Sequence, residues 1–258
     1  IDESRILLQD FINDLHNYVG ILRAIADGEQ SMSEISQRTG MPNSKVSFYL
    51  SVLRDTNFVT RDVPITQRGT DSRRGRYFVN DPYLRFFYRF MSAYQSKLAL
   101  GQMDEMFALI QETLPAFIAT NTWQEMCREW VLRASAKGQI PIPVEEVGSE
   151  WAKNYVVDVT GISEAASSLV LGDCYWTEEP VGIAAVDELV QKTSTIVPKN
   201  DQTWSIYYVI FSAQGWTKEA QLHAEQVVTD GRRKRWHTVG IRLVDLEELD
   251  ADLIRWSS

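Results

Sequence analysis

Apolar residues recur at helical intervals near the start of the chain. In Tyr18–Asp27, Val19, Leu22, Ile25 and Ala26 fall on one helical face, and Gly28 ends the run. Ser31-Met32-Ser33-Glu34-Ile35-Ser36 begins a short second helix that stops at Thr39-Gly40. Pro42, Asn43 and Ser44 open a third helix, with Val46, Leu50 and Leu53 facing inward. Two β-prone runs come next, Phe58–Thr66 and Arg76–Val79, joined by the glycine-containing turn Arg68–Gly75. Helix, helix, turn, helix and a two-stranded ribbon is the order of a winged helix-turn-helix. The pattern predicts one over residues 1–80, best delimited from Tyr18 to Asn80.

Asp81-Pro82 restarts helix. Tyr83–Ala99 is aromatic on one side and carries Arg85 and Arg89 four residues apart, before Gly101 breaks it. Further helices are predicted over Asp104–Ala119 and Trp123–Ala136, the latter ending at Lys137-Gly138. Pro141 and Pro143 mark the clearest boundary. Beyond it, Val144–Val147, Val156–Ile162 and Ser168–Trp176 read as strands. Gly182–Ser194 reads as a helix, Ser205–Ser212 as a buried strand, Thr217–Val227 as a helix and His237–Val244 as a last strand. The expected class is α+β: a winged helix-turn-helix at 1–80, a helical connector at 81–138 whose last helix packs on the C-terminal domain, and that domain, α/β in character, at 139–258.

Composition narrows the function classes. The 258 residues are 44% hydrophobic and 24% charged, an ordinary globular balance. The net charge is −9, but it is unevenly spread. Residues 1–80 hold ten basic and ten acidic side chains, whereas 145–188 hold ten acids and the single base Lys153. Nucleic-acid contact, if made, belongs to the first part. Cys127 and Cys174 are the only cysteines and form no CxxC pair, which excludes a zinc ribbon and fits a reducing, cytoplasmic setting. His16, His223 and His237 are scattered, so a histidine-based metal site is not expected. No run of ~20 apolar residues exists, so no membrane span is expected.

The third helix presents Ser44, Lys45, Ser47, Phe48, Ser51 and Arg54 outward, short hydrogen-bonding groups with two cations. Such a helix lies in the major groove of double-stranded DNA while the wing touches phosphates. The wing turn carries Arg68, Arg73, Arg74 and Arg76 within nine residues, opposed by Asp71. Phosphate contacts by these would weaken with salt by about 0.9 log units each per log unit of salt. The opposing reading has the module pack on a neighbouring domain, its arginines paired with the acids of 145–188 and the exposed Phe48 serving a protein contact.

Three segments carry a family resemblance: Val46-Ser47-Phe48-Tyr49-Leu50-Ser51-Val52-Leu53, Ser72-Arg73-Arg74-Gly75-Arg76-Tyr77 and Asp81-Pro82-Tyr83-Leu84-Arg85-Phe86. Together they resemble the C-terminal part of archaeal-type ATPases, AAA-like proteins in which a winged helix and a restriction-endonuclease-like domain come after the ATPase. The resemblance extends from the first helix to about Trp176. It implies an ATPase domain ahead of Ile1, which would explain the absent initiator Met, since the chain itself holds no GxxxxGK[ST] phosphate loop.

The resemblance also implies a nuclease-type site. Two acids on adjacent strands hold Mg²⁺, a lysine two residues beyond the second acid activates water, and a helical Glu completes the set. Here the acids are Asp158 and Asp173, the lysine position is Tyr175 and the helical position is Gln124, with Glu125 and Glu129 as substitutes. A phenol with a pKa near 10 cannot replace an ammonium. The sheet is therefore expected to have lost nuclease activity. Arg85 and Arg89 are expected to meet acids at the domain junction, and Arg232-Arg233-Lys234-Arg235 to be a solvated loop before Trp236. Trp204, Tyr207, Tyr208, Phe211 and Cys127 are expected in the core. Three functions are compatible with these residues: a DNA-binding, regulatory part of an ATPase; a metal-dependent nuclease using Asp158, Asp173 and Glu125 or Glu129; or a protein-interaction module.

Overall fold

Caps and core in the first helices arise from local chemistry. The computed structural model describes residues 2–28, 30–70, 72–229 and 235–257. The chain divides into two units: Ile1–Val63 with Asp71–Thr113, and Pro64–Thr70 with Leu114–Ser258.

The N-terminal unit begins with α1 (Asp2–Asp27), α2 (Met32–Thr39) and α3 (Asn43–Asp55). Ser31 caps α2 with a full capping box: its hydroxyl accepts from Glu34 N, and the Glu34 carboxylate accepts from Ser31 N at 2.8 Å. A cap of this kind contributes about 1 kcal/mol. Gly40 closes α2 at φ 68°, a left-handed geometry that costs a β-carbon residue strain. Ile21, Leu22 and Ile25 of α1, Ile35 of α2, and Val46, Tyr49, Leu50 and Leu53 of α3 form one core. Val59, Tyr77 and Val79 join it from an antiparallel ribbon, β1 (Val59–Asp62) with β2 (Arg76–Val79), in which Val59 faces Val79 and Asp62 faces Arg76. The helix-turn-helix with its ribbon is thus present.

Asp81 then caps α4 (Pro82–Phe86), accepting from Leu84 N at 2.9 Å, and the helix widens into a π turn over Phe87–Met91. A short α5 (Gln95–Ala99) comes next, and then α6 (Asp104–Phe117), which runs across the division between the units. Arg89 pairs with Asp27 at 3.0 Å and Arg85 donates to the Asn80 carbonyl at 3.1 Å, both inside the N-terminal unit. Arg89 therefore meets an acid as expected, but one within the N-terminal unit rather than at a domain junction.

The C-terminal unit is a sheet between helices. Its elements are α7 (Gln124–Ala136), β3 (Glu146–Ala152), β4 (Tyr155–Ser163), β5 (Ser168–Gly172), β6 (Cys174–Tyr175), α8 (Ile183–Ile196), β7 (Trp204–Ser212), α9 (Lys218–Thr229), β8 (Trp236–Asp245) and α10 (Leu246–Ser257). Strands β3, β4 and β5 run antiparallel to one another in that order, while β7 and β8 are added parallel. Strand β6 continues β5: Ser168 faces Ser205 and Cys174 faces Phe211, the same offset along β7. Asp173 is the one residue that interrupts this edge, and its carbonyl accepts from Phe211 N at 3.0 Å.

Both faces are buried, so the strands read as continuous apolar runs. Along β7, Ile206, Tyr208 and Ile210 meet Leu169, Leu171 and the Val186 and Leu189 side chains of α8. The alternate residues Tyr207, Val209 and Phe211 meet Val170, Trp123, Trp130 of α7 and Leu249 of α10. Each fully buried side chain of this size contributes roughly 1.5–3 kcal/mol. Gly172, just before the interruption, has no room for a side chain, because an added Cβ would lie 2.5 Å from the Val209 carbonyl oxygen. Gly172→Ala is expected to destabilise the sheet by about 1–3 kcal/mol, read as a lowered urea midpoint.

The division departs from the one expected at 80 and 138. Pro64 ends β1 early, so the strand predicted to reach Thr66 stops at Asp62. Ile65 is buried in the sheet's core beside Val157 and Leu169, and Thr66 donates through N and Oγ1 to the buried Glu150 carboxylate at 3.1 and 2.8 Å. The connector is split as well, residues 81–113 belonging to the first unit and 114–138 to the second. Helix α10, which the hydrophobic pattern does not predict, is capped by Asp245, whose carboxylate accepts from Glu248 N at 2.8 Å.

Candidate functional site

Helix α3 is amphipathic in the expected sense. Ser44, Lys45, Ser47, Phe48, Ser51 and Arg54 are exposed, and Val46, Leu50 and Leu53 are buried. Tyr49 joins the buried face and locks the helix: its hydroxyl donates to Asp14 Oδ1 at 2.7 Å and accepts from Asn17 Nδ2 at 2.8 Å. Burial and the Asp14 carboxylate push its phenol up, so it remains a donor. Phe48 is 61% exposed and rests edge-on against Tyr49.

The wing arginines separate. Arg73 and Arg74 are exposed. Arg76 is half-buried, its charge facing Glu34. Arg68, expected beside them, belongs to the C-terminal unit, where Nη1 pairs with Glu146 at 2.9 Å and Nη2 donates to the Val147 carbonyl at 3.3 Å. Its guanidinium is occupied by the acid-rich stretch. Asp71, Arg232, Arg233 and Lys234 lie outside the described residues, and Arg235 donates to the Ser194 carbonyl at 3.0 Å beside the Trp236 ring.

The two acids meet in the C-terminal unit. Val159 faces Gly172 across β4 and β5, so Asp158 and Asp173 are brought side by side at the interruption of the strand. Asp158 Oδ1 accepts from Gln124 Nε2 at 2.8 Å, and Oδ2 accepts from Cys174 N at 3.0 Å. Its carbonyl accepts from Arg128 at 3.3 Å and Ser149 at 2.7 Å. Asp173 Oδ2 accepts from Lys192 Nζ of α8 at 2.6 Å, with the carboxylate 7% and the lysine 24% exposed. Burial, then repulsion by Asp173, pushes the Asp158 carboxyl up to about 6. Burial also raises Asp173, against the pull of Lys192.

Tyr175 lies two residues beyond Asp173, and burial beside Asp173, Glu188 and Asp158 raises its phenol further, keeping it neutral. One part of the expectation is corrected: the acids are not without an ammonium, because Lys192 brings one from the next helix. A signal existed. After Lys153 no cation occurs until Lys192, and that residue falls three after the buried Leu189 on α8.

A divalent cation would have to compete for its ligands: a hard cation needs several oxygens, while each Asp158 oxygen already accepts a protein N–H group and Asp173 Oδ2 holds an ammonium. Among the described residues, no group of three or more His, Cys, Asp and Glu is placed to hold a metal ion. Of the expected substitutes, Glu129 is half-buried and pairs with Arg133 at 2.6 Å, and Glu125 is exposed. Gln124 is the side chain of α7 that reaches the acids, and it arrives as a donor. Trp204, Tyr207, Tyr208, Phe211 and Cys127 are buried.

Comparisons with known proteins cover the chain in pieces. The pattern of bacterial regulatory proteins of the arsR family matches residues 18–61, which hold the helix-turn-helix. The pattern of a family described as archaea bacterial proteins of unknown function matches residues 87–189. An uncharacterized protein of Methanocaldococcus jannaschii is 23% identical over 205 residues, 78% of this chain and 45% of the relative. The chain therefore spans about half the length of the curated relative it matches. A solved O-methyltransferase, NcsB1 from neocarzinostatin biosynthesis with S-adenosyl-L-homocysteine, covers 90% of this chain and 64% of its own at 17% identity. Its TM-score of 0.24 gives that likeness no structural weight. Among the described residues, no helix is long and apolar enough to cross a membrane.

Proposed function

We propose that this chain is a DNA-binding regulatory segment: α3 enters the major groove of duplex DNA, Arg73 and Arg74 hold phosphates, and the sheet unit is a restriction-endonuclease-like domain without nuclease activity. The observation that carries the reading is the face of α3, where Ser44, Lys45, Ser47, Ser51 and Arg54 are all exposed on a helix locked from behind by Tyr49. The match to the arsR family over the same helices supports it. Short hydroxyls permit close approach to the backbone, and Lys45 and Arg54 add charge at both ends of the helix. Arg76 steadies the ribbon against Glu34, and Arg68 is left out because Glu146 holds it.

An electrophoretic shift with duplex DNA at two salt concentrations tests this. Arg73→Ala with Arg74→Ala is expected to weaken binding uniformly across sequences and to flatten the salt slope by about 2 log units per log unit. No shift by the wild-type chain even at low salt would refute the DNA reading.

The endonuclease-like assignment rests on chain order: helix α7, the antiparallel strands β3–β5, helix α8 and parallel β7, with paired acids at the β4–β5 edge. Association with an ATPase domain in the same polypeptide rests on the resemblance of the Asp81-Pro82-Tyr83-Leu84-Arg85-Phe86 segment and on the greater length of the archaeal relative. A phosphate loop encoded upstream in the same reading frame would support that association.

A further inference from the structure

Two carboxylates side by side in a protein interior must be neutralised by protons, by a metal ion or by a fixed cation. Here such a pair is enclosed by protein donors. Gln124, where a third acid would add a ligand, turns its amide nitrogen to Asp158 Oδ1 at 2.8 Å. The Cys174 N–H takes Oδ2 at 3.0 Å, so each oxygen of Asp158 already carries one protein donor. Arg128 lies against the Asp158 carbonyl at 3.3 Å and adds positive charge to the same wall. Lys192 completes the enclosure at 2.6 Å from Asp173 Oδ2.

Helix α8 fixes that lysine. Val186, Leu189, Thr193 and Ile196 are its buried stripe, and Thr193 shares a hydrogen bond with the Tyr208 hydroxyl at 2.8 Å inside the sheet core. Lys192 sits next to this anchored stripe, so its stem lies along apolar surface while the ammonium reaches the acid. A lysine in this position is a monovalent charge on a tether, always present and unable to carry a reactive water. With the amide of Gln124 it supplies to the acid pair the positive charge and the donors that an entering cation would otherwise provide.

We propose that Lys192 is a built-in counter-ion that takes the place of a divalent cation between Asp158 and Asp173, making the C-terminal unit metal-independent. The proposal rests on the endonuclease-like reading only for the expectation that a cation belongs there; the contacts stand without it. It assigns Lys192 a positioning role, holding the β4–β5 edge together, and it accounts for Tyr175 being tolerated in a sheet whose charge is balanced from the helix.

The test uses the full chain with Mn²⁺ alone, measuring bound ion by loss of the free-ion paramagnetic resonance signal. The quantity read is binding that depends on Asp173, the difference between each protein and the same protein carrying Asp173→Asn. Wild type is expected to show none. Lys192→Met, and independently Lys192→Gln, should gain a saturable Asp173-dependent site, at least about tenfold tighter than the weakest affinity the assay detects. Asp173-dependent Mn²⁺ binding by wild type would overturn the proposal. So would the absence of any gain in folded Lys192→Met and Lys192→Gln. The wild-type measurement stands even where a variant does not fold, and none of these outcomes touches the DNA-binding assay.

Discussion

Replacing Trp130 with alanine is expected to lower the stability of the C-terminal unit by about 3–5 kcal/mol, the range for deleting a fully buried aromatic side chain. Trp130 is 0% exposed and stands at the centre of the face formed by α7, α10 and the sheet. Its ring lies 5.6 Å from that of Phe211 and 5.8 Å from that of Trp256, and the Arg242 guanidinium sits 5.0 Å from its centroid. Its indole N–H donates to Asp252 Oδ2 at 3.0 Å, and Asp252 is itself buried. Truncation would leave a cavity and also strip a donor from a buried carboxylate, two costs that reinforce each other. Trp130→Phe restores most of the volume without the donor and should cost about 1–3 kcal/mol. Urea unfolding followed by circular dichroism checks both. A Trp130→Ala midpoint indistinguishable from wild type would mean that α10 does not pack as described.

The second large effect is on pH dependence. The Asp158 carboxyl is pushed up to about 6 in the folded protein, by burial first and by Asp173 second, against about 3.9 for an unperturbed aspartate. A carboxyl raised by folding destabilises the native state wherever it is ionised. The penalty is therefore complete above about pH 6 and disappears as the pH falls towards 4, at most about 3 kcal/mol for this shift. Asp158→Asn removes the ionisation and keeps the contacts: its Oδ1 can accept from Cys174 N, and the Gln124 amide can turn to accept from Nδ2. The variant should exceed wild type in stability by about 1–3 kcal/mol at pH 8, with the gap shrinking below about pH 6 and closing below about pH 4. Thermal or urea midpoints measured across that range decide the matter; a gap that ignores pH would remove the electrostatic explanation.

The parts of the fold that the sequence revealed are those set by local periodicity. The buried and exposed faces of α3 arise from Val46, Leu50 and Leu53 at helical spacing, and α2 runs from Ser31 to the stop at Thr39-Gly40 as its sequence predicts. Asp158 and Asp173 were paired through the family resemblance, and the antiparallel neighbours β4 and β5 bring them side by side. What escaped was set by tertiary partners. Lys192 lies nineteen residues beyond the acid it meets, and nothing in its own neighbourhood names Asp173. Arg68 looked like a wing residue because it shares a turn with Arg73 and Arg74, yet its charge is held by Glu146, seventy-eight positions away. Helix α10 carries Leu246, Leu249, Leu253 and Trp256 at helical intervals, but the buried Asp252 breaks the apolar stripe and hides it.

The placement of Ile65 and Thr66 has a consequence for how such a chain can be inherited. The backbone passes from one unit to the other after Val63, after Thr70 and again after Thr113, so neither unit is a continuous stretch of gene. A recombination event that copied residues 1–80 elsewhere would carry off a piece of the sheet's interior along with the helices. Any exchange of the first part alone would have to leave residues 64–70 behind with the sheet whose interior they complete.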